Sequence, residues 1–248
     1  MSPEVRFIEV DERPIATRTR DGSGPPTLLF LPGYASDMEG TKALSLDAWA
    51  AERGIGFIRF DYSGTGSSPG EFADGTLERW LDEALAVADG CTEGPLIPVG
   101  SSMGGWVALH LALRRPQRVR GLLGIAAAPD FTDWGYGEDD RRALAAEGRL
   151  ERPNPYGGDA ELTTLRFWQS GERLKLLDGE IAIDCPVRLI HGNADDEVPL
   201  EIALRLTDRL RSADVQLWMV KGGGHRLSAP HEIRTMLRAV ADLLELAE

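Results

Sequence analysis

The chain contains 248 residues, of which 42% are hydrophobic and 27% charged, a composition typical of a globular protein long enough to bury a sizeable core. Its formal net charge of −13 argues against nucleic acid as a partner, because an acidic surface repels phosphate. We expect a cytoplasmic protein without stable membrane insertion, since no apolar run approaches the ~20 residues of a membrane span and the first residues lack a signal or transit pattern.

Cysteine usage argues against a disulfide framework and against a metal site. Cys91 and Cys185, the two cysteines of the sequence, lie far apart and have no neighbours at the spacing of metal ligands. We therefore expect reduced cysteines.

The predicted elements alternate between strands and helices, which indicates an α/β fold with a mostly parallel central sheet flanked by helices. Short apolar or β-branched runs predict strands over residues 5–10, 15–19, 27–31 and 56–60, of which the first two are a candidate antiparallel hairpin. Helical spacing of apolar side chains predicts a helix over residues 41–53 and another that begins after an N-cap at Thr76. A glycine-rich turn at residues 61–66 follows the fourth strand.

The same alternation continues in the second half of the chain. A strand over residues 95–99 leads into a helix over 103–115 and a strand over 119–126. After an interruption, strands are predicted over residues 186–191 and 215–220, and helices over 200–211 and 230–246. We interpret residues 1–248 as a single domain interrupted by an insertion.

This lid insertion, at about residues 130–184, is predicted to be small and helical. It is rich in charge, has no strong strand signal and carries helical patterns around residues 139–147 and 162–171. Aromatic residues of the lid insertion either line an acyl pocket or simply anchor the insertion: Trp134, Tyr136, Phe167 and Trp168.

The motif that carries chemistry is Gly100-Ser101-Ser102-Met103-Gly104. It lies between an apolar strand and an Ala/Leu-rich helix, and a nucleophilic serine needs that strand–turn–helix setting. The turn is so sharp that its neighbours must be small, and only Ser102 stands between the two glycines at the required spacing. We predict Ser102 as the nucleophile and Ser101 as a supporting hydroxyl.

A serine needs a base and an acid to become nucleophilic. Of the four histidines, His225 follows a glycine run in the loop after the last strand, whereas His110 lies within a helix, His191 ends a buried strand and His231 begins a helix. His225 is therefore the predicted base. Adjacent aspartates follow the strand that ends at His191, and of these we favour Asp195 over Asp196 as the acid, in the chain order Ser, Asp, His.

Backbone N–H groups are predicted to bind the oxyanion that develops on the substrate. One is the N–H of Met103, directly after the nucleophile. The other is the N–H of Tyr34, because Pro32-Gly33 ends the preceding strand and turns the backbone there.

With these landmarks placed, the chain resembles the α/β-hydrolase superfamily along nearly its whole length. Within it, the chain is similar to bacterial relatives of the mitochondrial palmitoyl-protein thioesterase, also described as an acyl-glucuronide esterase. That closer resemblance is carried by Phe60-Asp61-Tyr62-Ser63-Gly64, Gly104-Gly105-Trp106, Arg114-Arg115-Pro116, the run from Cys185 to Gly192, and His225-Arg226-Leu227-Ser228.

The resemblance implies hydrolysis of a carboxylic ester or thioester through an acyl-enzyme, on a small-molecule or acyl-group substrate and without metal or organic cofactor. Transacylation, perhydrolysis and C–C bond hydrolysis are alternatives on the same triad. A non-catalytic, ligand-binding member of the fold is an alternative of another class. The oligomeric state stays open.

Overall fold

The computed structural model describes residues 3–154, 157 and 160–247. Outside the lid insertion, the strands and helices of these residues follow the order that the sequence predicts. The strands are β1 (Arg6–Val10), β2 (Arg13–Arg20), β3 (Thr27–Leu31), β4 (Phe57–Phe60), β5 (Leu96–Ser101), β6 (Leu122–Ile125), β7 (Arg149–Arg152), β8 (Glu161–Thr164), β9 (Val187–Gly192) and β10 (Val215–Val220). The α-helices are α1 (Thr41–Arg53), α2 (Leu77–Cys91), α3 (Met103–Arg114), α4 (Phe131–Trp134), α5 (Glu138–Glu147), α6 (Leu165–Arg173), α7 (Leu200–Arg209) and α8 (Pro230–Ala247).

The central sheet is mostly parallel, with the strand order β1-β2-β4-β3-β5-β6-β9-β10. β1 pairs antiparallel with β2, and β2 pairs antiparallel with β4. The neighbouring pairs from β4 to β10 are parallel. The predicted α/β-hydrolase architecture and its opening hairpin are confirmed.

Strand β5 is buried on both faces of the sheet, which explains its continuous apolar run. Leu96 belongs to a core cluster that includes Trp80 of α2 and Trp106 of α3. Ile97, whose side chain points to the opposite face, belongs to a second cluster that includes Leu243 of α8. Helix α2 begins as predicted, because the hydroxyl of Thr76 caps its first turn.

The carboxyl ends of β3 and β5 meet where the strand order reverses. β3 lies between β4 and β5, so the chain passes from β3 to one neighbour and later returns to the other. Open α/β sheets bind ligands at such a switch point. The loop after β3 and the turn after β5 therefore border one crevice.

The lid insertion contains more than the predicted helices. Between α5 and α6, β7 and β8 pair as an antiparallel hairpin, in the register Arg149↔Thr164 to Arg152↔Glu161. The prediction that residues 162–164 are helical is wrong. Helix α6 begins at Leu165, because the Thr164 hydroxyl accepts the N–H of Phe167 and caps it there.

The two ends of the lid insertion are tied together by Asp130. Its buried carboxylate accepts the backbone N–H of Leu176 at 2.8 Å and that of Leu177 at 2.7 Å. Burial raises the pKa of Asp130, although these N–H donors oppose that shift. The insertion thus leaves and rejoins the core at one hydrogen-bonded point. In the part of the chain that the structure describes, no helix is both long and apolar enough to cross a membrane.

Candidate active site

Ser102 occupies a strained turn between β5 and α3. Its backbone has φ 53° and ψ −119°, a region that a residue with a side chain rarely adopts. Hydrogen bonds hold it there, since its N–H donates to the carbonyl oxygen of Ile125 at 2.9 Å and its own carbonyl accepts from Gly105 at 2.8 Å. The turn points the serine side chain away from the sheet into the crevice, where it lines a cavity.

The glycines around Ser102 are required by close backbone contacts. A Cβ on Gly100 would lie 2.2 Å from the carbonyl oxygen of Gly104, and a Cβ on Gly104 would lie 2.0 Å from that of Leu31. A Cβ on Gly105 would lie 2.5 Å from the Cβ of Ala127. Any larger residue at these positions forces the backbone to move, so the spacing of the sequence motif has a steric cause.

A continuous hydrogen-bond chain joins Ser102, His225 and Asp195. Ser102 Oγ lies 3.0 Å from His225 Nε2, and His225 Nδ1 lies 2.9 Å from Asp195 Oδ2. An ionised aspartate can only accept, so His225 carries its proton on Nδ1 and offers Nε2 to the serine hydroxyl. Ser102 lies in the turn after β5, Asp195 in the loop after β9 and His225 in the loop after β10.

Asp195 is fixed and ionised by its surroundings. Its Oδ1 accepts the backbone N–H groups of Glu197 and Val198, each at 2.9 Å. Burial alone would raise the pKa of Asp195, but the hydrogen bond and charge of His225 together with the two N–H donors lower it below its ordinary value. Asp196, the neighbouring candidate, is exposed.

The remaining histidines have other partners or face solvent. His110 is buried, and its Nε2 lies 2.8 Å from the carbonyl oxygen of Leu174. His191 Nε2 lies 2.9 Å from the carbonyl oxygen of Val198, on the loop that carries Asp195. His231 is exposed at the start of α8.

The loop after β3 packs directly against the serine turn. A Cβ on Gly33 would lie 3.4 Å from the Cβ of Ser102, and the following residue, Tyr34, lines the same cavity as Ser102. Met103 opens α3, and the first N–H groups of a helix have no partner within it. Both predicted oxyanion donors therefore belong to backbone that borders Ser102.

The glycine-rich turn at residues 61–66 supports this loop. Asp61 accepts the N–H of Met38, beyond Tyr34 in the same loop, and that of Ser67, both at 2.7 Å. A Cβ on Gly66 would lie 2.2 Å from Asp61 Oδ2, so glycine is needed for the turn to close around the carboxylate. Burial raises the pKa of Asp61 above its ordinary value.

A cavity of about 830 Å³ opens at Ser102 and His225. Trp134 and Tyr136 of the lid insertion line this cavity. For these two residues, the structure agrees with the interpretation that lid aromatics line a pocket. Phe167 and Trp168 do not belong to its wall. Phe167 is buried against Tyr34, with ring centroids 4.7 Å apart, and so anchors the insertion to the loop after β3. Trp168 donates its indole N–H to the carbonyl oxygen of Thr132 at 2.8 Å, which joins two parts of the insertion.

The lid hairpin contributes wall residues that sequence reasoning missed. Arg152, Glu161 and Thr163 line the cavity. The Arg152 guanidinium lies 4.5 Å from the centroid of the Tyr136 ring. Burial and the nearby Glu197 raise the pKa of Glu161. The sequence carries only a weak indication of these two strands: Arg149–Arg152 and Glu161–Thr164 each contain one leucine among polar residues.

Comparison with known proteins places this architecture in a family. The model of the alpha/beta hydrolase family matches residues 28–243. The chain belongs to the alpha/beta hydrolase family. Mitochondrial palmitoyl-protein thioesterase ABHD10 of Mus musculus is 36% identical to this hydrolase over 243 residues, covering 96% of this chain and 82% of the mouse protein. The Homo sapiens protein of the same name is 35% identical, covering 89% and 73% of the two chains.

Solved structures agree with this assignment. The structure of alpha/beta hydrolase domain-containing protein 10 from mouse superposes on this hydrolase with a TM-score of 0.92 and 34% identity, covering 99% of this chain and 100% of the other. A crystallised protein from Agrobacterium vitis S4 is 41% identical, with a TM-score of 0.91 and coverage of 97% and 98%. Among the residues described for this hydrolase, no cluster of His, Cys, Asp or Glu has the composition of a metal site.

Proposed function

We propose that this hydrolase cleaves a carboxylic ester or acyl thioester through an acyl-enzyme intermediate on Ser102. The observation that carries the proposal is the hydrogen-bond chain from Asp195 through His225 to Ser102, which ends at the wall of an open cavity. The names of the relatives support thioesters as one substrate class.

In the first half of the proposed reaction, Ser102 Oγ attacks the acyl carbonyl carbon while His225 Nε2 takes the hydroxyl proton. Asp195 holds the resulting imidazolium by its charge and its hydrogen bond. The N–H groups of Met103 and Tyr34 donate to the oxyanion. The tetrahedral intermediate then expels an alcohol or thiol, which takes the proton from His225.

In the second half, water takes the place of the leaving group. His225 removes a proton from this water as its oxygen attacks the acyl-enzyme carbonyl. A second oxyanion forms between the same two N–H groups. Its collapse releases the carboxylic acid and returns the proton to Ser102 Oγ, so that the enzyme is ready for another cycle.

The cavity wall offers both aromatic surface that suits an acyl group and polar groups that suit a leaving group. Phe131, Trp134 and Tyr136 bring aromatic surface from the lid insertion. Lys42 and Ser228 bring polar groups from α1 and the loop after His225. Burial lowers the pKa of Lys42 to about 8. We propose that the aromatic side receives the acyl chain.

The test is a panel of p-nitrophenyl esters of increasing chain length together with an S-acyl peptide. Wild type and Ser102→Ala are compared, with Ser101→Ala as the matched control in the same turn. We expect Ser102→Ala to lose turnover of every substrate, by roughly 10⁶-fold in kcat for a nucleophile of this kind. Ser101→Ala should retain turnover within about tenfold of wild type, since its hydroxyl is not the one bonded to His225.

The molecule that accepts the acyl group from Ser102 distinguishes the alternative reactions. If alcohol or peroxide captures the acyl group far faster than water does, the enzyme is a transacylase or a perhydrolase. If the Ser102 acyl-enzyme forms but product stays bound after one turnover, the protein is a ligand-binding member of the fold. Undiminished turnover by Ser102→Ala contradicts the whole proposal.

A further inference from the structure

The side chain of Tyr34 connects the predicted oxyanion loop to the lid insertion. Its hydroxyl donates to the backbone carbonyl of Leu162, 128 residues away in the chain, at 2.6 Å. Leu162 lies in β8 of the lid hairpin. One residue therefore joins the backbone beside the nucleophile to an element that arrives much later in the sequence.

The Tyr34 ring is held on several sides. Its centroid lies 4.7 Å from that of Phe167, 5.1 Å from Phe72 and 5.9 Å from Trp80. Burial raises the pKa of the Tyr34 hydroxyl above its ordinary value, so the group stays protonated and keeps its role as a donor. The ring cannot turn without displacing these neighbours, and the direction of the hydroxyl is thereby determined.

A second hydroxyl pair stabilises the same strand. Tyr136 Oη lies 2.8 Å from Thr163 Oγ1, and both groups are buried. Because Thr163 follows Leu162 in β8, two tyrosines from different parts of the chain bond to adjacent residues of one strand. The acceptor of the Tyr34 hydrogen bond is itself anchored by this pair.

The loop that carries Tyr34 needs such an anchor because its backbone is strained. Ala35 has φ 52°, which is unfavourable for a residue with a side chain. The loop is fixed after this point by the bond from Met38 N–H to Asp61. Before it, Gly33 packs against Ser102. Between these two points, Tyr34 contacts the lid insertion through its ring, which packs on Phe167, and its hydroxyl makes the directional hydrogen bond to Leu162.

We infer that Tyr34 is a positioning residue, whose hydroxyl uses the lid hairpin to hold its own backbone N–H in line for the oxyanion. The inference rests on the proposed function, in which that N–H is one of the two oxyanion donors. Without the hydroxyl, the strained loop relaxes and the N–H moves away from the transition state. Ground-state binding of the substrate is little affected, because a donor aimed at the oxyanion contributes mainly after attack.

The test compares Tyr34→Phe with Tyr62→Phe. Tyr62 belongs to the same aromatic cluster, with its ring 5.5 Å from that of Trp80, and its buried hydroxyl has no hydrogen-bond partner among the described residues. Three quantities are measured for each variant: kcat, KM for a p-nitrophenyl ester, and the inhibition constant of a trifluoromethyl ketone, which forms a tetrahedral oxyanion with the serine.

We expect Tyr34→Phe to lower kcat about tenfold, a fraction of the loss that follows removal of a whole oxyanion donor. The inhibition constant of the ketone should rise by the same factor, while KM changes less than about twofold. Tyr62→Phe should leave all three quantities near those of wild type. An equal effect of both variants, or a change in KM without a change in the ketone inhibition constant, would overturn the inference.

A second variant serves if Tyr34→Phe is not recovered folded. Thr163→Val removes the hydroxyl that pairs with Tyr136 beside the Leu162 acceptor. Because the strand that receives the Tyr34 hydrogen bond is then less firmly held, this variant should weaken ketone binding more than it raises KM. An unchanged ketone constant in this variant also contradicts the inference. A failure of the proposed function gives a different result: Ser102→Ala would then stay active, whatever the effect of the Tyr34 variants.

Discussion

Asp195 Oδ2 lies 2.9 Å from His225 Nδ1, while the other oxygen of the same carboxylate accepts two backbone N–H groups of its own loop. This arrangement makes Asp195 a rigid acceptor that selects one tautomer of His225. Asp196, the next residue, points into solvent at the rim of the cavity.

Replacing Asp195 should therefore be far more damaging than replacing its neighbour. Asp195→Asn presents an uncharged amide to the imidazole, which favours the wrong tautomer, and we expect kcat to fall by roughly 10⁴-fold. Asp196→Asn should change kcat by less than about threefold. Steady-state kinetics on one p-nitrophenyl ester decide between the two, and equal losses would contradict the role of Asp195.

Gly104 is predicted to be irreplaceable for steric reasons. In Gly104→Ala the new Cβ meets the carbonyl oxygen of Leu31 at 2.0 Å, and the variant should lose about 2 kcal/mol or more of unfolding free energy, as overpacking does. Gly90→Ala is the matched control, because Gly90 lies near the end of α2 with nothing within 4 Å of a Cβ. That variant should gain about 0.5 kcal/mol through helix propensity. Urea unfolding followed by circular dichroism measures both, and a stable Gly104→Ala would refute the steric argument.

The tie at the base of the lid insertion should contribute to stability. Asp130→Ala leaves the half-buried N–H of Leu176 and the buried N–H of Leu177 without their acceptor, and we expect a loss of about 2 kcal/mol in urea unfolding. Limited proteolysis should also cut the lid insertion of this variant faster than that of wild type. Asp178→Ala serves as the control, since Asp178 lies in the same segment but its side chain is 68% exposed. Equal protease sensitivity of the two variants would show that the hydrogen bonds of Asp130 to Leu176 and Leu177 do not hold the lid insertion in place.

One exposed ion pair gives a pH-dependent contribution with a definite sign. The Arg115 guanidinium hydrogen-bonds to Asp89 at 2.6 Å and lowers the pKa of that carboxyl from its ordinary 3.8. A carboxyl with a lowered folded-state pKa stabilises the fold above the unfolded pKa, and the contribution is lost as the pH falls through the folded pKa.

Asp89→Asn should accordingly be less stable than wild type at pH 7, by under about 1 kcal/mol because the pair is largely solvated. The difference in unfolding free energy should disappear below the folded-state pKa of Asp89. Denaturation series at neutral pH and at successively lower pH values below 3.8 test this. The difference should shrink as the pH falls, and a difference that stays constant down to the lowest pH would contradict the assignment.

Much of the fold was predictable because the inner strands of the sheet, β3, β4, β5, β6 and β9, are buried on both faces and so form continuous apolar runs. The predicted bounds of β3 and α1 match the structure, since an apolar run followed by Pro32-Gly33 and a helical pattern that ends before Gly54 leave little ambiguity. The lid hairpin was missed because its strands are four residues long and partly exposed, so they lack the apolar alternation of core strands. Residues 155–156 and 158–159, within the predicted insertion, lie outside the described residues.

The residues of the hydrogen-bond chain, Ser102, His225 and Asp195, were predictable from their motifs and loop positions. The choice of aromatic residues that form the cavity wall was not. Trp134 and Phe167 are both lid aromatics, and only their packing separates them: the first faces the cavity and the second lies under Tyr34. The Tyr34 hydroxyl donates to the carbonyl of Leu162, 128 residues away, and a local sequence pattern cannot predict a contact over that distance. Cytoplasmic localisation and a single domain over residues 1–248 stay predictions.

The most direct test of the central claim is covalent labelling with a fluorophosphonate, followed by mass spectrometry of the digested protein. Serine hydrolases react with this probe at the activated serine because its tetrahedral adduct mimics the acyl-transfer intermediate. We predict one equivalent of label on the peptide that contains Ser102 and loss of esterase activity in parallel. Labelling of another residue with activity lost in proportion, or full activity after Ser102 is modified, would contradict the account.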